Sequence, residues 1–97
     1  MDRETVILTL RAHEAELRAE GISHVYLFGS VARGEADEKS DVDLFYDCEP
    51  ECFGFLQFMG ICERVPEILG LPVDIMPRDG IHRRIRAKVE AEAIPVF

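Results

Sequence analysis

Asp41 and Asp43 flank Val42 at the head of the apolar run Asp-Val-Asp-Leu-Phe-Tyr. Alternate side chains of a strand share a face, so the two carboxylates project together, roughly 6–7 Å apart along the backbone. Val42, Leu44 and Tyr46 then project the other way, into a packed layer. Two like charges so placed on an apolar strand raise each other's pKa, and burial adds to the rise. A divalent cation removes the cost. Mg²⁺ in particular takes one or two carboxylates together with substrate phosphates and water. Asp74 interrupts a second apolar run at 71–76. If the two strands are neighbours in register, three carboxylates converge, enough to hold two metal ions about 3.5–4 Å apart. One ion would activate an attacking hydroxyl and the other would steady a leaving oxygen.

Gly29-Ser30 supplies the complementary half. Glycine lets the backbone approach a phosphate closely, and N–H groups at the start of a short helix favour anions. Ser30 adds a hydroxyl donor, and Arg33, one turn on, is a cation within reach of the same oligophosphate. Taken singly these features carry little: Gly-Ser is a common turn, Asp-x-Asp is frequent at strand starts, and Asp74 alone reads as an edge charge. Together, with Gly-Ser following a strand and both aspartate sites lying in strands, they are the parts for phosphoryl or nucleotidyl transfer.

The elements that must position these residues follow from patterning. Residues 2–20 read as a helix with Val6, Leu10, His13 and Leu17 on one face, Asp2 as N-cap and Gly21 as the stop. His13 falls at the edge of that stripe as a packed histidine rather than a ligand. Residues 22–28 are dense in Ile, Val, Tyr, Leu and Phe without clean alternation, which suits an interior strand covered on both faces. Ser30 is placed to cap a short helix over 31–33, a polar loop spans 34–40, and the second strand spans 41–47. A helix over about 51–65 presents Phe55, Leu56, Met59 and Cys62 on one face, with Phe53 and Phe58 widening the apolar surface toward the domain or a partner. Pro66 predicts a kink or a fresh turn through Leu69, and Gly70 stops it. A third strand spans 71–76. Asp79 is placed to cap a last helix over about 81–91, and 94–97 form an apolar edge strand or plug.

Ninety-seven residues are expected to form one domain over 1–97. No apolar run approaches the ~20 residues of a membrane span, and the N-terminus lacks a signal-peptide layout, so the expectation is a soluble cytoplasmic protein. A net charge of -8 argues against direct nucleic-acid binding by bulk electrostatics. Five of the eleven Lys/Arg residues nevertheless cluster near the C-terminus (Arg78, Arg83, Arg84, Arg86, Lys88), as a solvated helix face or a surface for phosphate or an acidic partner. Cys48, Cys52 and Cys62 show no metal-binding spacing, and the three histidines are scattered.

Gly29-Ser30, ten residues, then Asp41-Val42-Asp43 resembles the G-S-x10-D-x-D signature of the DNA polymerase beta-like nucleotidyltransferase superfamily. The surrounding Leu27-Phe28-Gly29-Ser30-Val31-Ala32-Arg33-Gly34, together with Val73-Asp74-Ile75 and Ala93-Ile94-Pro95-Val96, resembles the minimal nucleotidyltransferase group. The likeness spans nearly the whole chain. It implies an α/β (α+β) nucleotidyltransferase fold, a small mixed β-sheet with helices packed against it. It also implies Mg²⁺-dependent transfer of AMP from ATP, with two ions expected. By position, Asp41, Asp43 and Asp74 would be catalytic metal ligands, Asp74 also the candidate base, and Gly29 and Ser30, with Arg33 beside them, would hold the nucleotide. Members of the group are typically antitoxins that add AMP to a tyrosine of a HEPN-domain RNase toxin, which would be the partner here. Two alternatives stand beside that reading: a non-catalytic antitoxin acting by occlusion, and a nucleotidyltransferase subunit acting on a small molecule or RNA.

Overall fold

The computed structural model describes residues 2–37, 41–49 and 54–97. The β-rich run after Gly21 forms β1 (Ile22–Phe28), and the run carrying Asp43 forms β2 (Val42–Cys48). They pair antiparallel, and β3 (Val73–Pro77) adds to β2 in parallel. The C-terminal β4 (Ile94–Pro95) adds antiparallel to the other edge of β1, giving the order β3-β2-β1-β4. The sheet is therefore mixed and β1 is interior, as the sequence predicts. The lost alternation in β1 has a second cause. The register shifts between Ile22 and His24, and this irregularity lets Ile22 and Val25 both face the same core.

The two faces of the sheet are covered unequally. Val25 and Leu27 of β1, Val42, Leu44 and Tyr46 of β2, and Ile75 of β3 pack into the larger core. Helices close it: α1 (Arg3–Ala12) and α2 (Glu14–Ala19) contribute Val6, Leu10 and Leu17, and α3 (Gly29–Arg33) contributes Val31 and Ala32. From α4 (Phe55–Leu69) come Ile61, Val65 and Leu69. The opposite face carries a smaller cluster. Phe45 packs there with Ile81 and with Val89 of α5 (Arg86–Glu92), flanked by Tyr26, Phe28, Met76 and Ala93.

Local chemistry sets the boundaries. Asp2 caps α1 through a 2.9 Å hydrogen bond from Thr5 N–H. The single helix predicted over 2–20 breaks at His13, whose Nδ1 contacts the Thr9 carbonyl at 2.9 Å and so competes with the helical ladder. Ser30 does not cap α3. The N-cap position falls on extended Phe28, and Ser30 lies in the first turn.

In α4 the face expected to carry Phe55, Leu56, Met59 and Cys62 is not buried as a unit. Phe55 and Leu56 are 75% and 87% exposed, and Met59 is exposed as well. The buried stripe is Ile61, Val65 and Leu69, with Phe58 and Cys62 beside it. The helix is apolar on more than one side, so periodicity alone cannot choose between faces. Pro66 sits inside one helix rather than starting a new turn. Burial of Val65 and Leu69 on either side holds it there, and Gly70 ends the helix in the left-handed conformation at φ 70°. Phe53 lies outside the described residues.

The last helix begins later than predicted. Arg78–Gly80 form a 3-10 turn and Ile81 is extended, because Ile81 is spent plugging the smaller core. Asp79 caps nothing. Its carbonyl accepts from Arg86 at 3.3 Å. The tail is both edge strand and plug: Val96 is fully buried, and its N–H donates to the Val25 carbonyl at 2.8 Å.

Candidate active site

Register places the carboxylates. Asp43 pairs across the parallel β2–β3 ladder with Asp74, so the two side chains leave the same face of neighbouring strands, roughly 5 Å apart at the backbone. Asp41 lies one residue before β2 and is exposed. It still acts on Asp43 electrostatically. The Asp43 carboxyl is held above the ordinary aspartate value of 3.8, first by burial, then by the charges of Asp74, Asp41 and Glu92, with Arg33 opposing. Among the described residues no Lys or Arg forms an ion pair with Asp43.

Gly29 meets this cluster from the antiparallel side. Phe28 is the partner of Asp43 across β1–β2, so the next residue passes directly over the carboxylate. Gly29 has φ 77°, and a Cβ there would overlap Asp43 Oδ2. Glycine is demanded twice at this position, by the left-handed backbone and by the approach to Asp43. Thus Gly29, Asp43 and Asp74 are brought together, Asp41 stands at the rim, and Ser30 follows Gly29 in the first turn of α3.

Arg33 stands one turn further, already engaged. Its Nε donates to Glu35 Oε2 at 3.0 Å, and its Nη1 lies 3.2 and 3.3 Å from the two oxygens of Glu92. Glu92 Oε1 also accepts from the Gly29 N–H at 3.3 Å. Glu92 is a site residue that spacing could not reveal, because it comes from α5 at the other end of the chain.

The donor set suits a hard divalent ion. It is all carboxylate, and among the described residues no Lys or Arg is ion-paired with Asp43, Arg33 acting on it only at a distance. Among the described residues no group of three or more His, Cys, Asp or Glu side chains is placed to hold a metal ion, so the expected convergence of three carboxylates is not met: Asp43 and Asp74 pair across the ladder while Asp41 stays at the rim.

Other sequence candidates are placed elsewhere. Arg78 of the basic segment is committed to structure. It grips Asp47 with two hydrogen bonds of 2.8 and 2.9 Å, reaches Glu90 at 3.1 Å, and lies 5.0 Å from the centroids of both Tyr26 and Phe45. Arg83, Arg84 and Lys88 are exposed. The Cys62 thiol is pushed up, mainly by burial and then by Asp74. Cys52 lies outside the described residues. A cavity of about 360 Å³ opens between Tyr46, Phe58, Met76 and Pro77, three pair positions along the β2–β3 ladder from the aspartates. Among the described residues no helix is long and apolar enough to cross a membrane.

Known proteins share both sequence and architecture with this chain. A model of the nucleotidyltransferase domain family matches residues 10–96. The chain is 37% identical over 94 residues to the protein adenylyltransferase MntA of Thermococcus cleftensis, covering 96% of this chain and 94% of that one. A solved structure assigned as a minimal nucleotidyltransferase superimposes with a TM-score of 0.83 at 38% identity, covering 98% of this chain and 96% of the other. A toxin–antitoxin structure with AMP-PNP shares the fold, with a TM-score of 0.71 at 18% identity over 98% of this chain and 73% of its own.

Proposed function

The chain belongs to the minimal nucleotidyltransferase family, and from that premise we propose that it is an antitoxin-type protein adenylyltransferase. It transfers AMP from ATP to a hydroxyl, a tyrosine of a partner HEPN-domain RNase toxin. The observation that carries the proposal is the in-register Asp43–Asp74 pair, with which no Lys or Arg among the described residues is ion-paired, directly beneath the Gly29 backbone.

The roles follow from position. Gly29 and Ser30 offer backbone N–H and hydroxyl donors to the phosphates, and Arg33 adds a positive charge beside them. Asp43 and Asp74, with Asp41 at the rim, would hold Mg²⁺. Bound there, the ion supplies charge neutralisation on the phosphates and activation of the attacking hydroxyl. Asp74, exposed at the sheet edge, accepts the proton of that hydroxyl. The hydroxyl oxygen forms a bond to the α-phosphorus, the bond to the bridging oxygen breaks, and pyrophosphate leaves with its electron pair. Exposed Phe55, Leu56 and Met59 on α4 support a protein acceptor over a small one, since a macromolecular partner would cover them.

The test is incubation with α-labelled ATP, Mg²⁺ and the toxin partner, followed by mass spectrometry of the partner. The expected result is AMP on a tyrosine, lost in Asp43→Asn. The same apolar α4 surface also favours the second reading, neutralisation by occlusion alone. Asp43→Asn that still neutralises its partner fully, with no label transferred by the wild type, selects that reading.

A further inference from the structure

Glu92 is the last residue of α5, where a carboxylate faces the negative end of the helix dipole. That location gives it no local reason to be there. Its partners are the reason: the Gly29 N–H at 3.3 Å and the Arg33 guanidinium at 3.2 and 3.3 Å. A carboxylate and a phosphate present similar oxygens to such donors, and both bind best to charged or backbone N–H groups. Glu92 is also mostly enclosed, with its side chain 22% exposed, so the contact is part of the packed α3–α5 junction.

We infer that Glu92 is a resident surrogate for a nucleotide phosphate, occupying Gly29 N–H and Arg33 until the triphosphate displaces it. The inference rests on the assignment of Gly29 and Arg33 as phosphate donors. Its chemistry is exchange of one anion for another at the same two donors, with no bond made or broken. Two consequences follow. Nucleotide affinity is weakened by the competing carboxylate. The displaced carboxylate swings away from Arg33 as the nucleotide seats, so binding loosens the α3–α5 junction that it ties.

The experiment is isothermal titration of ATP with Mg²⁺, and of AMP with Mg²⁺, into wild type, Glu92→Gln, Glu92→Asp and Arg33→Gln, with unfolding temperatures measured in parallel. Glu92→Gln keeps a hydrogen-bond acceptor of the same size but removes the charge. Glu92→Asp keeps the charge but shortens the reach. Both are expected to bind ATP about 1.5- to fivefold more tightly than wild type, the scale of one partly exposed ion pair removed from competition. AMP should gain by the same factor if its phosphate takes these donors, and should not respond if it seats without reaching Gly29 N–H and Arg33. Arg33→Gln is expected to bind ATP more weakly. If Arg33→Gln weakens ATP while both Glu92 variants bind it no better than wild type, Glu92 is a structural strut and the surrogate role is overturned. If Arg33→Gln binds ATP like wild type, the phosphate assignment itself fails and the surrogate role falls with it.

Discussion

Asp43 and Asp47 project from the same face of the same strand, yet their surroundings are opposite. Asp47 has its countercharge built in: a two-pronged Arg78 at 2.8 and 2.9 Å, itself stacked beside Tyr26 and Phe45. Asp43 has carboxylates for neighbours, Asp74 across the ladder, Asp41 two residues back and Glu92 from α5, and its pKa is raised first by burial and then by these charges, with Arg33 opposing. One end of the face is electrostatically closed and the other is left open. A folded chain gains nothing in stability from the open end. It is the arrangement expected where an external cation arrives with the substrate.

The contrast can be broken by exchanging the behaviour of the two ends. Asp43→Asn should cost about 10²-fold or more in AMP transfer, the scale of losing one charge-stabilising group in a transition state. Its unfolding temperature at neutral pH should equal or exceed that of the wild type, as read by calorimetry. Gly29→Ala should cost transfer at least about tenfold and also lower stability by roughly 1–3 kcal/mol for the strained φ, since its Cβ must displace Asp43. Asp47→Asn should behave inversely. It loses about 1 kcal/mol in denaturant unfolding, because the Arg78 pair is partly exposed, and it leaves transfer nearly intact.

A smaller effect sharpens the same contrast. With a raised folded-state pKa, Asp43 destabilises the fold only when ionised. Without divalent cation, its contribution is therefore fully favourable below the ordinary value of 3.8 and is lost as pH rises through the raised value. Mg²⁺ should raise the unfolding temperature above that window and not below it. Asp43→Asn should flatten both the slope and the Mg²⁺ response. An unchanged response in the variant would place the cation elsewhere.

Much of the site can be read from sequence because its logic is local. Gly29 ends one strand and Asp43 lies in the next, so a period of two and a glycine after a strand suffice to bring them together. The Asp43–Asp74 register needs one further assumption, that the strands are neighbours, and the ladder bears it out. What could not be read is non-local or ambiguous. Glu92 reaches the site from α5 through the tertiary fold. Arg78, grouped with a basic cluster, is captured by Asp47 across the sheet. Phe55, Leu56 and Met59 compete with Phe58, Ile61 and Val65 for the inward face of α4, and only packing decides between them. The late start of α5 follows from the use of Ile81 as a core plug, which helix periodicity does not encode.

The most direct test of the open end is titration of ATP into wild type and Asp43→Asn, each with and without Mg²⁺. Wild type should bind ATP far more tightly with Mg²⁺ than without. In Asp43→Asn that metal dependence should collapse, while metal-free ATP binds at least as well as to the wild type. An Asp43→Asn variant that keeps the full Mg²⁺ enhancement would contradict the assignment of Asp43 as the carboxylate that waits for the metal.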